Sequence, residues 1–289
     1  HPFGTDSGPK EINAARCDTI KAADTYVAMA DAATAQRNRI HGQAATGRRF
    51  DDPGSARRFR ADPRRELGAS LEILAGFIEP SDVLLDVGGG AGRIGLPMAL
   101  RCRELINVDP SPNMLAEFAA SAEEADISNV RSIEGDWLEV AAVTADVALS
   151  AHVTYFVRDI VAFIQKLIAS ARRRVIIYIN SFANPNRSDR LFQLVYGEEQ
   201  ATLPANRELM EVIWEMCIFP DVKVLPAATS GGQKPARGKR RSNRHWGEPG
   251  WPLGTGITRQ KSWSPILMSS SAMKMVDIKP YGHLKAGNC

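Results

Sequence analysis

Residues 84–95, LLDVGGGAGRIG, combine an acid with closely spaced glycines. We call residues 88–92 the glycine loop. Glycines that follow a strand let a ligand approach the backbone, and the next helix presents free N–H groups to it. Counted from Gly90, the spacing is G-x-G-x-x-G, which is typical of loops that bind a dinucleotide. Counted from Asp86, it is an acid followed by glycines at alternate positions, Gly88, Gly90 and Gly92. The two registers predict different ligands.

The dinucleotide register predicts an NAD-dependent oxidoreductase of the Rossmann type. It requires the preceding strand to run through Gly88 and Gly89, which are poor strand residues. Its third glycine is Gly95, and Asp109 supplies the acid expected about 20 residues further along the chain. This interpretation remains open on the sequence alone.

The second register ends the strand at Asp86 and Val87 and places a carboxylate at its tip. Such a carboxylate repels the pyrophosphate of a dinucleotide. It tolerates a ligand that carries an ammonium group and a sulfonium group and no phosphate. S-adenosylmethionine is a ligand of that kind.

In this register, roughly residues 66–225 resemble the class I S-adenosylmethionine-dependent methyltransferases, whose first motif is an acid followed by G-x-G-x-G. The resemblance implies methyltransferase activity with S-adenosylmethionine as cofactor. It implies that Asp109, in INVDPS, binds the two ribose hydroxyls, and that Asp136, in EGDW, accepts a hydrogen bond from the adenine amino group. Trp137 and Met114 would lie on either side of the adenine. The implied cofactor-binding residues are Asp86, Gly88, Gly89, Gly90, Gly92, Asp109, Pro110, Met114, Gly135, Asp136, Trp137, Ser150 and Ala151.

The acids among these residues also have simpler interpretations. Asp86 could cap the glycine turn, and Asp109 could form an ordinary turn before Pro110. Asp136 could belong to a turn that enters a helix. The cofactor interpretation is favoured because the glycine loop, Asp109, Asp136 and the segment LSAHVTYF follow one another in the family's order.

His152 and Tyr155 are the candidate catalytic residues, because the segment after the fourth predicted strand faces the methyl group and the acceptor in this family. A histidine there could act as a general base, since its pKa lies near neutral pH. Alternatively, His152 only packs beside the methionine part of the cofactor, and Tyr155 belongs to the core. Asn180, after the fifth predicted strand, could bond to the acceptor. A dedicated base is not required, because alignment and desolvation supply much of the rate of such a transfer.

Alternating strand and helix patterns predict the fold around these residues. Apolar segments at about 83–87, 105–109, 130–133, 146–150 and 175–179 predict five strands. The sequence therefore predicts an α/β fold with a doubly wound, mostly parallel, seven-stranded Rossmann-like sheet, helices on both faces and an N-terminal helical extension. The sixth and seventh strands, near 221–225 and 272–278, are indicated least clearly.

Two helix starts can be predicted within this pattern. Ser111 followed by Pro112 is a strong start signal, with the serine as N-cap. Ser70 is the predicted N-cap of the helix that precedes the first strand.

Composition divides the chain into three parts. Residues 1–66 predict a helical extension or lid, residues 67–226 a domain that binds S-adenosylmethionine, and residues 227–289 an irregular basic tail rich in Gly and Trp. The chain has a net charge of +3, and many of its basic residues lie in that tail. The rest of the chain is therefore mildly acidic.

The acceptor of the methyl group is the least determined feature. We expect a small molecule with an O, N, S or C nucleophile and consider nucleic acid an unlikely partner. The basic run KPARGKRR, followed by Trp246 and Trp251, keeps an RNA or protein methyltransferase as an alternative, because Lys and Arg neutralise phosphates and aromatic rings stack on bases. A second basic group could bind an anionic substrate or simply form a solvated surface: Arg57, Arg58, Arg60, Arg64 and Arg65.

The remaining expectations concern location and metals. No apolar run approaches the ~18 residues that span a bilayer, and the N-terminus does not resemble a signal peptide. We therefore expect a cytoplasmic protein without a membrane partner. The cysteines are far apart and include no C-x-x-C pair, and no cluster of ligands indicates a metal. The oligomeric state is not indicated.

Overall fold

The structure is a computed structural model that describes residues 21–42, 53–226 and 273–279. Its helices are α1 (Lys21–His41), α2 (Pro53–Arg57), α3 (Ala69–Ala75), α4 (Gly95–Ala99), α5 (Pro112–Glu124), α6 (Ile160–Ser170), α7 (Asp189–Tyr196) and α8 (Asn206–Glu215). Its strands are β1 (Val83–Val87), β2 (Glu104–Asp109), β3 (Val130–Glu134), β4 (Ala145–Ala151), β5 (Ala171–Asn180), β6 (Asp221–Val224) and β7 (Met273–Ile278). Short 3-10 turns, Thr154–Phe156 and Asn184–Ser188, follow β4 and β5.

The strands of the described ranges form one seven-stranded sheet in the order β3-β2-β1-β4-β5-β7-β6. The first five strands along the chain pair in parallel, whereas β7 is antiparallel to β5 and to β6. The strand order reverses between β1 and β4, and in open α/β sheets the ligand crevice lies at the carboxyl ends of the strands beside such a reversal. The predicted doubly wound, mostly parallel sheet is confirmed, including its last two strands.

Apolar residues cover both faces of the sheet, as the uniformly apolar strands predict. On one face, α1, α6 and α8 pack against Leu85 and Ile177. On the other, α3, α4 and α5 pack against Leu84 and Ile176. The core therefore holds the strands rigidly and leaves their carboxyl ends for the site.

The two predicted helix starts have different outcomes. The Ser111 hydroxyl accepts a hydrogen bond from the Met114 N–H at 3.3 Å, so the predicted cap of α5 is confirmed. The prediction for Ser70 is wrong, because the N-cap of α3 is Gly68. The Ser70 hydroxyl instead donates to the carbonyl of Pro226 at 2.7 Å, which ties α3 to the end of β6.

Helix α1 fastens the N-terminal part of the described chain to the turn after β4. The buried Tyr26 hydroxyl donates to the Thr154 carbonyl at 2.7 Å. Near the surface, Asp31 forms an ion pair with Arg158. Helix α1 thus helps to position Tyr155, which lies in the same turn.

No helix within the described ranges has the length and apolar character needed to cross a membrane.

Candidate functional site

The glycine loop leaves β1 and turns across the carboxyl edge of the sheet. Strand β1 ends at Val87, before the first glycine, which does not suit the dinucleotide register. Gly90 has a φ of 55°. A methyl group on it would lie 3.6 Å from Met114 Sδ and 3.9 Å from Asp109 Oδ2, with nothing closer. The open side of the loop therefore faces Met114 and Asp109.

Asp109 ends β2 beside this open side. Its Oδ2 accepts a hydrogen bond from the Gly90 N–H at 3.0 Å, and its Oδ1 accepts one from the Ser111 N–H at 2.9 Å. These bonds fix the direction of the carboxylate. Each carboxylate oxygen can accept a further hydrogen bond, so the group can also bind a pair of hydroxyls. The half-buried Pro110 connects it to α5.

Asp86 lies beneath the glycine loop instead of lining the crevice. The residue is 1% exposed, and a methyl group on Gly89 would lie 2.5 Å from its Oδ2. Its Oδ1 has no hydrogen-bond partner among the described residues. Burial, and secondarily the charge of Asp109, raises the pKa of Asp86 to about 7. This carboxyl group supports the loop from within the fold.

Asn107 supports the same loop, although it was not among the predicted residues. It is the β2 neighbour of Asp86 in the sheet. Its Nδ2 donates to the Gly90 carbonyl at 3.0 Å, and its Oδ1 is buried without a partner in the described part of the chain. A polar side chain inside the apolar segment INVD is a signal from which the sequence could have indicated it.

Met114 belongs to a small apolar cluster with Ala56, Ala91 and Phe59. The cluster brings α2, from the N-terminal part, against the outer side of the glycine loop. Met114 is 5% exposed, so it forms part of the wall of the crevice and contributes little open surface.

Most of the arginine cluster that follows α2 has a structural role. Its side chains bond to α5 and to the residue after the glycine loop: Arg60 to Glu117 and Glu124, Arg64 to the Ala125 carbonyl, and Arg65 to the Arg93 carbonyl. Arg58 bonds locally to Ser55. These contacts hold residues 53–65 against the domain and account for the basic composition there without an anionic substrate.

Asp136 and Trp137 follow β3 but point to different surroundings. Asp136 is exposed, and its Oδ1 accepts a hydrogen bond from the Leu138 N–H at 2.9 Å. Trp137 is 5% exposed and packs in the core beneath the Lys166 ammonium, 4.8 Å from the ring centroid. Asp136 thus stabilises a turn, as the simpler interpretation proposed, while the indole lies mostly below the surface. Gly135 joins this turn to β2 by donating to the Asp109 carbonyl at 3.2 Å.

His152 and Tyr155 lie together just beyond β4. Tyr155 Oη lies 3.4 Å from His152 Nδ1 and accepts a hydrogen bond from the Asn180 N–H at 2.6 Å. His152 has a φ of 62°, which is uncommon for a residue with a side chain. Its N–H donates to the Tyr178 carbonyl at 2.9 Å. The ends of β4 and β5 therefore meet at this pair.

The electrostatic surroundings keep both rings neutral near pH 7. Burial, followed by the positive charges of Arg93 and Arg187, lowers the pKa of His152 to about 4. Burial raises the pKa of Tyr155 to about 12. The sequence expectation of a histidine that titrates near neutral pH does not match these surroundings.

The other two residues predicted at the end of β4, Ser150 and Ala151, are buried or half-buried and contribute to packing. Ser150 is fully buried, and its hydroxyl has no partner within the described ranges. Ala151 is half-buried at the last position of the strand. Across the same ranges, no group of His, Cys, Asp and Glu side chains could hold a metal ion.

Three features together define the class I methyltransferase fold. They are the sheet order β3-β2-β1-β4-β5-β7-β6, the glycine loop after β1 and the fixed Asp109 carboxylate at the end of β2. The open side of Gly90 beside the Asp109 carboxylate fits a ribose. Residues 84–174 match the family model described as methyltransferase domain. The chain therefore carries the domain of an S-adenosylmethionine-dependent methyltransferase, and S-adenosylmethionine is its cofactor.

Solved structures resemble this chain at low sequence identity, and the first of those below supports the fold. Magnesium protoporphyrin IX methyltransferase from Synechocystis PCC 6803, with bound SAH, has a TM-score of 0.52 at 13% identity, covering 80% of this chain and 96% of that chain. A SAM-dependent methyltransferase from Aquifex aeolicus has a TM-score of 0.48 at 13% identity, covering 80% and 99%. Geranyl diphosphate C-methyltransferase from Streptomyces coelicolor A3(2) has a TM-score of 0.47 at 12% identity, covering 73% and 78%. No curated protein matches the sequence.

Proposed function

We propose that this protein transfers the methyl group of S-adenosylmethionine to a small-molecule acceptor at the carboxyl ends of β4 and β5. The observation that supports the cofactor part most directly is the Asp109 carboxylate, held by two backbone N–H groups beside the open side of Gly90. An acid in this position also suits the ribose of a dinucleotide, and the feature that disfavours a dinucleotide is the end of β1 at Val87, well before Gly90, the first glycine of that register.

With the ribose of S-adenosylmethionine at Asp109, the other proposed contacts of the cofactor follow. Asp109 would bind the ribose hydroxyls, and Met114 would form the wall beside the adenine. Asp136, exposed at the turn after β3, would accept a hydrogen bond from the adenine amino group. Trp137 would support that turn from the core, because its indole has little open surface.

A cavity beside the end of β5 supports an acceptor of modest size. It has a volume of about 290 Å³ and lies between residues 181–186 and the start of α8. Phe182 and Leu203 give it an apolar wall, and Lys274 and Asn206 give it polar edges. Small-molecule sites are commonly of about this size and mixed character.

In the proposed methyl transfer, the protein aligns the acceptor with the methyl group and contributes little acid–base catalysis. S-adenosylmethionine, when bound, supplies a strongly electrophilic methyl group. The Tyr155 hydroxyl accepts from the Asn180 N–H and lies 3.4 Å from His152 Nδ1, and in the tautomer in which it donates to that nitrogen the imidazole proton lies on Nε2. With a pKa of about 4, His152 is a poor base at pH 7 and a suitable hydrogen-bond donor. It would position the acceptor.

Asp109→Asn is expected to weaken the binding of S-adenosylhomocysteine by at least about tenfold, because it removes the charge from a group that accepts up to four hydrogen bonds. Titration calorimetry with S-adenosylmethionine, S-adenosylhomocysteine and NADH measures this. Glu104→Gln, at the opposite end of β2, is the matched control. Unchanged affinity in Asp109→Asn, or binding of NADH by the wild type, would contradict the proposed cofactor site.

His152→Asn is expected to lower kcat by less than about tenfold, because asparagine keeps a donor and tolerates a positive φ. A general base contributes about 10²- to 10⁴-fold. Because the pKa of His152 is lowered to about 4, the wild-type rate should also show no loss through histidine protonation between pH 8 and pH 5.5. Steady-state release of S-adenosylhomocysteine over this pH range tests both points. A hundredfold loss in the variant, with a pH step near 6.5 in the wild type, would restore the role of general base.

A further inference from the structure

The cavity beside the end of β5 is lined by a lysine from the sheet. Lys274 lies in β7, where it is the neighbour of Ile179 in β5. Side chains alternate between the two faces of a strand, and Val276, two residues further along, packs in the same core cluster as Leu209 of α8. Lys274 therefore lies on the α8 face of the sheet, at its carboxyl edge.

The ammonium group of Lys274 has no ion pair or hydrogen bond among the residues that the structure describes, although the residue is half-buried. At the end of the same strand, Lys279 pairs with Asp221 at 3.1 Å. The acid that lines the cavity, Glu208, already accepts a hydrogen bond from the Ala205 N–H at 2.9 Å. Charged groups that leave the solvent are normally paired, so this cation would be stabilised by an anion in the cavity.

The start of α8 adds further donors to the same cavity. The Leu209 N–H makes the first hydrogen bond of the helix, to the Ala205 carbonyl, so the N–H groups of residues 206–208 have no partner within the helix. Asn206 lines the cavity and is 5% exposed, and its Nδ2 has no hydrogen-bond partner in the described part of the chain. A buried amide without a partner is uncommon, and it indicates that a ligand supplies the missing acceptor.

The cavity also lies where an acceptor of the methyl group must lie. Ser181, in its wall, directly follows Asn180, whose N–H bonds to the Tyr155 hydroxyl. A molecule in the cavity can therefore extend toward the end of β4, where the proposed transfer takes place. Phe182 lines the cavity and is 60% exposed, so it offers an apolar surface to the body of that molecule.

We propose that the methyl acceptor carries an anionic group, a carboxylate or a phosphate, which Lys274 and the N–H groups at the start of α8 bind in this cavity. The inference rests on the proposed function and names the chemical class of its acceptor. The positive end of a helix and an ammonium group both favour such anions. The body of the acceptor would lie against Phe182, and its nucleophile would extend toward His152.

Titrations of the full chain with benzoate and phenyl phosphate test the inference, and benzamide is the neutral match. Amide NMR spectra follow the backbone signals of residues 181–183 and 206–208, together with the side-chain amide of Asn206, which is assigned by its loss in Asn206→Ser. At least one anion is expected to shift these signals, with a dissociation constant at least about tenfold below that of benzamide. The anion with the lower dissociation constant identifies carboxylate or phosphate as the preferred group.

Lys274→Gln is expected to raise the dissociation constant of that anion at least about tenfold, because it removes the cation from the cavity. Lys274→Arg keeps the charge and should retain binding, which separates the loss of the cation from a disturbed strand. Lys223→Gln is the matched control. It removes the same charge from β6 on the opposite face of the sheet, where the ammonium lies 4.7 Å from the centroid of the Phe77 ring.

Three results overturn the inference: neither anion shifts these signals, benzamide binds as tightly, or Lys274→Gln binds the anion as tightly as Lys223→Gln does. Equal losses in Lys274→Gln and Lys274→Arg overturn it as well, because the charge would then not be what binds. Binding of S-adenosylhomocysteine, measured on the same samples, separates this failure from that of the proposed function. Normal cofactor binding without anion binding refutes only the anionic group. Absent cofactor binding refutes the proposed function, and the titration then still decides whether the cavity binds an anion.

Discussion

Gly92→Ala is expected to destabilise the protein by about 2–5 kcal/mol and to abolish binding of S-adenosylhomocysteine. Gly92 has a φ of 79°, a conformation that costs a residue with a side chain about 1–2 kcal/mol. The added methyl group would also lie 2.6 Å from Leu96 Cγ and 2.7 Å from Phe118 Cδ2. Both side chains are fully buried, and overpacking of a core costs about 1–3 kcal/mol. Urea unfolding measures the loss.

Gly90→Ala is the matched control for this prediction. Gly90 also has a positive φ, 55°, but a methyl group there would meet only ordinary contacts at 3.6 Å and beyond. Its stability should fall by only about 1 kcal/mol, while the methyl group reaches into the crevice beside Asp109 and weakens cofactor binding. Equal losses of stability in the two variants would show that the contacts beneath Gly92 do not limit the loop.

Asp86→Asn is expected to change how the stability of the protein depends on pH. Burial raises the pKa of Asp86 to about 7 in the folded state, whereas it is about 3.9 in an unfolded chain. The unfolded state therefore loses the proton first as the pH rises. Stability from this group is fully present below about pH 4 and is lost as the pH rises through 7. Between pH 5 and pH 8 the loss amounts to roughly 2–3 kcal/mol.

The difference in free energy of unfolding between Asp86→Asn and the wild type should therefore shift in favour of the variant by this amount from pH 5 to pH 8. Urea unfolding at several pH values measures it, with Asp126→Asn, at an exposed position, as the control. A constant difference across the range would mean that Asp86 is ionised throughout and that a donor beneath the loop stabilises its charge.

The fold could be predicted because its strands are marked by local composition. Segments such as VIIYI are apolar at every position, and this pattern is typical of strands buried on both faces. The cap at Ser111 could be predicted as well, since its hydrogen bond to Met114 is made within a single turn. Ser70 could not, because its partner Pro226 lies far along the chain.

The depth of each site residue was harder to predict than its position. Asp109 and Asp86 both end or nearly end a strand, yet Asp109 lies beside the open side of Gly90 and Asp86 lies beneath the loop. Within a strand that is apolar on both faces, nothing in the sequence tells which face a polar side chain takes. The low pKa of His152 comes first from its burial and then from the charges of Arg93 and Arg187, which come from distant parts of the chain. Such convergence is a property of the tertiary structure.

The position of β7 has a consequence for how the protein is made. This strand pairs with β5 along Val175–Asn180 in one direction and with β6 in the other. On the ribosome, everything up to β6 emerges while the outer edge of β5 still lacks its neighbour, and an unpaired strand edge invites association with other chains. Strand β7 can pair with β5 and β6 only after residue 278 has been synthesised. Removing residues 227–289 would therefore leave that edge permanently open, so truncation cannot isolate the contribution of the basic tail.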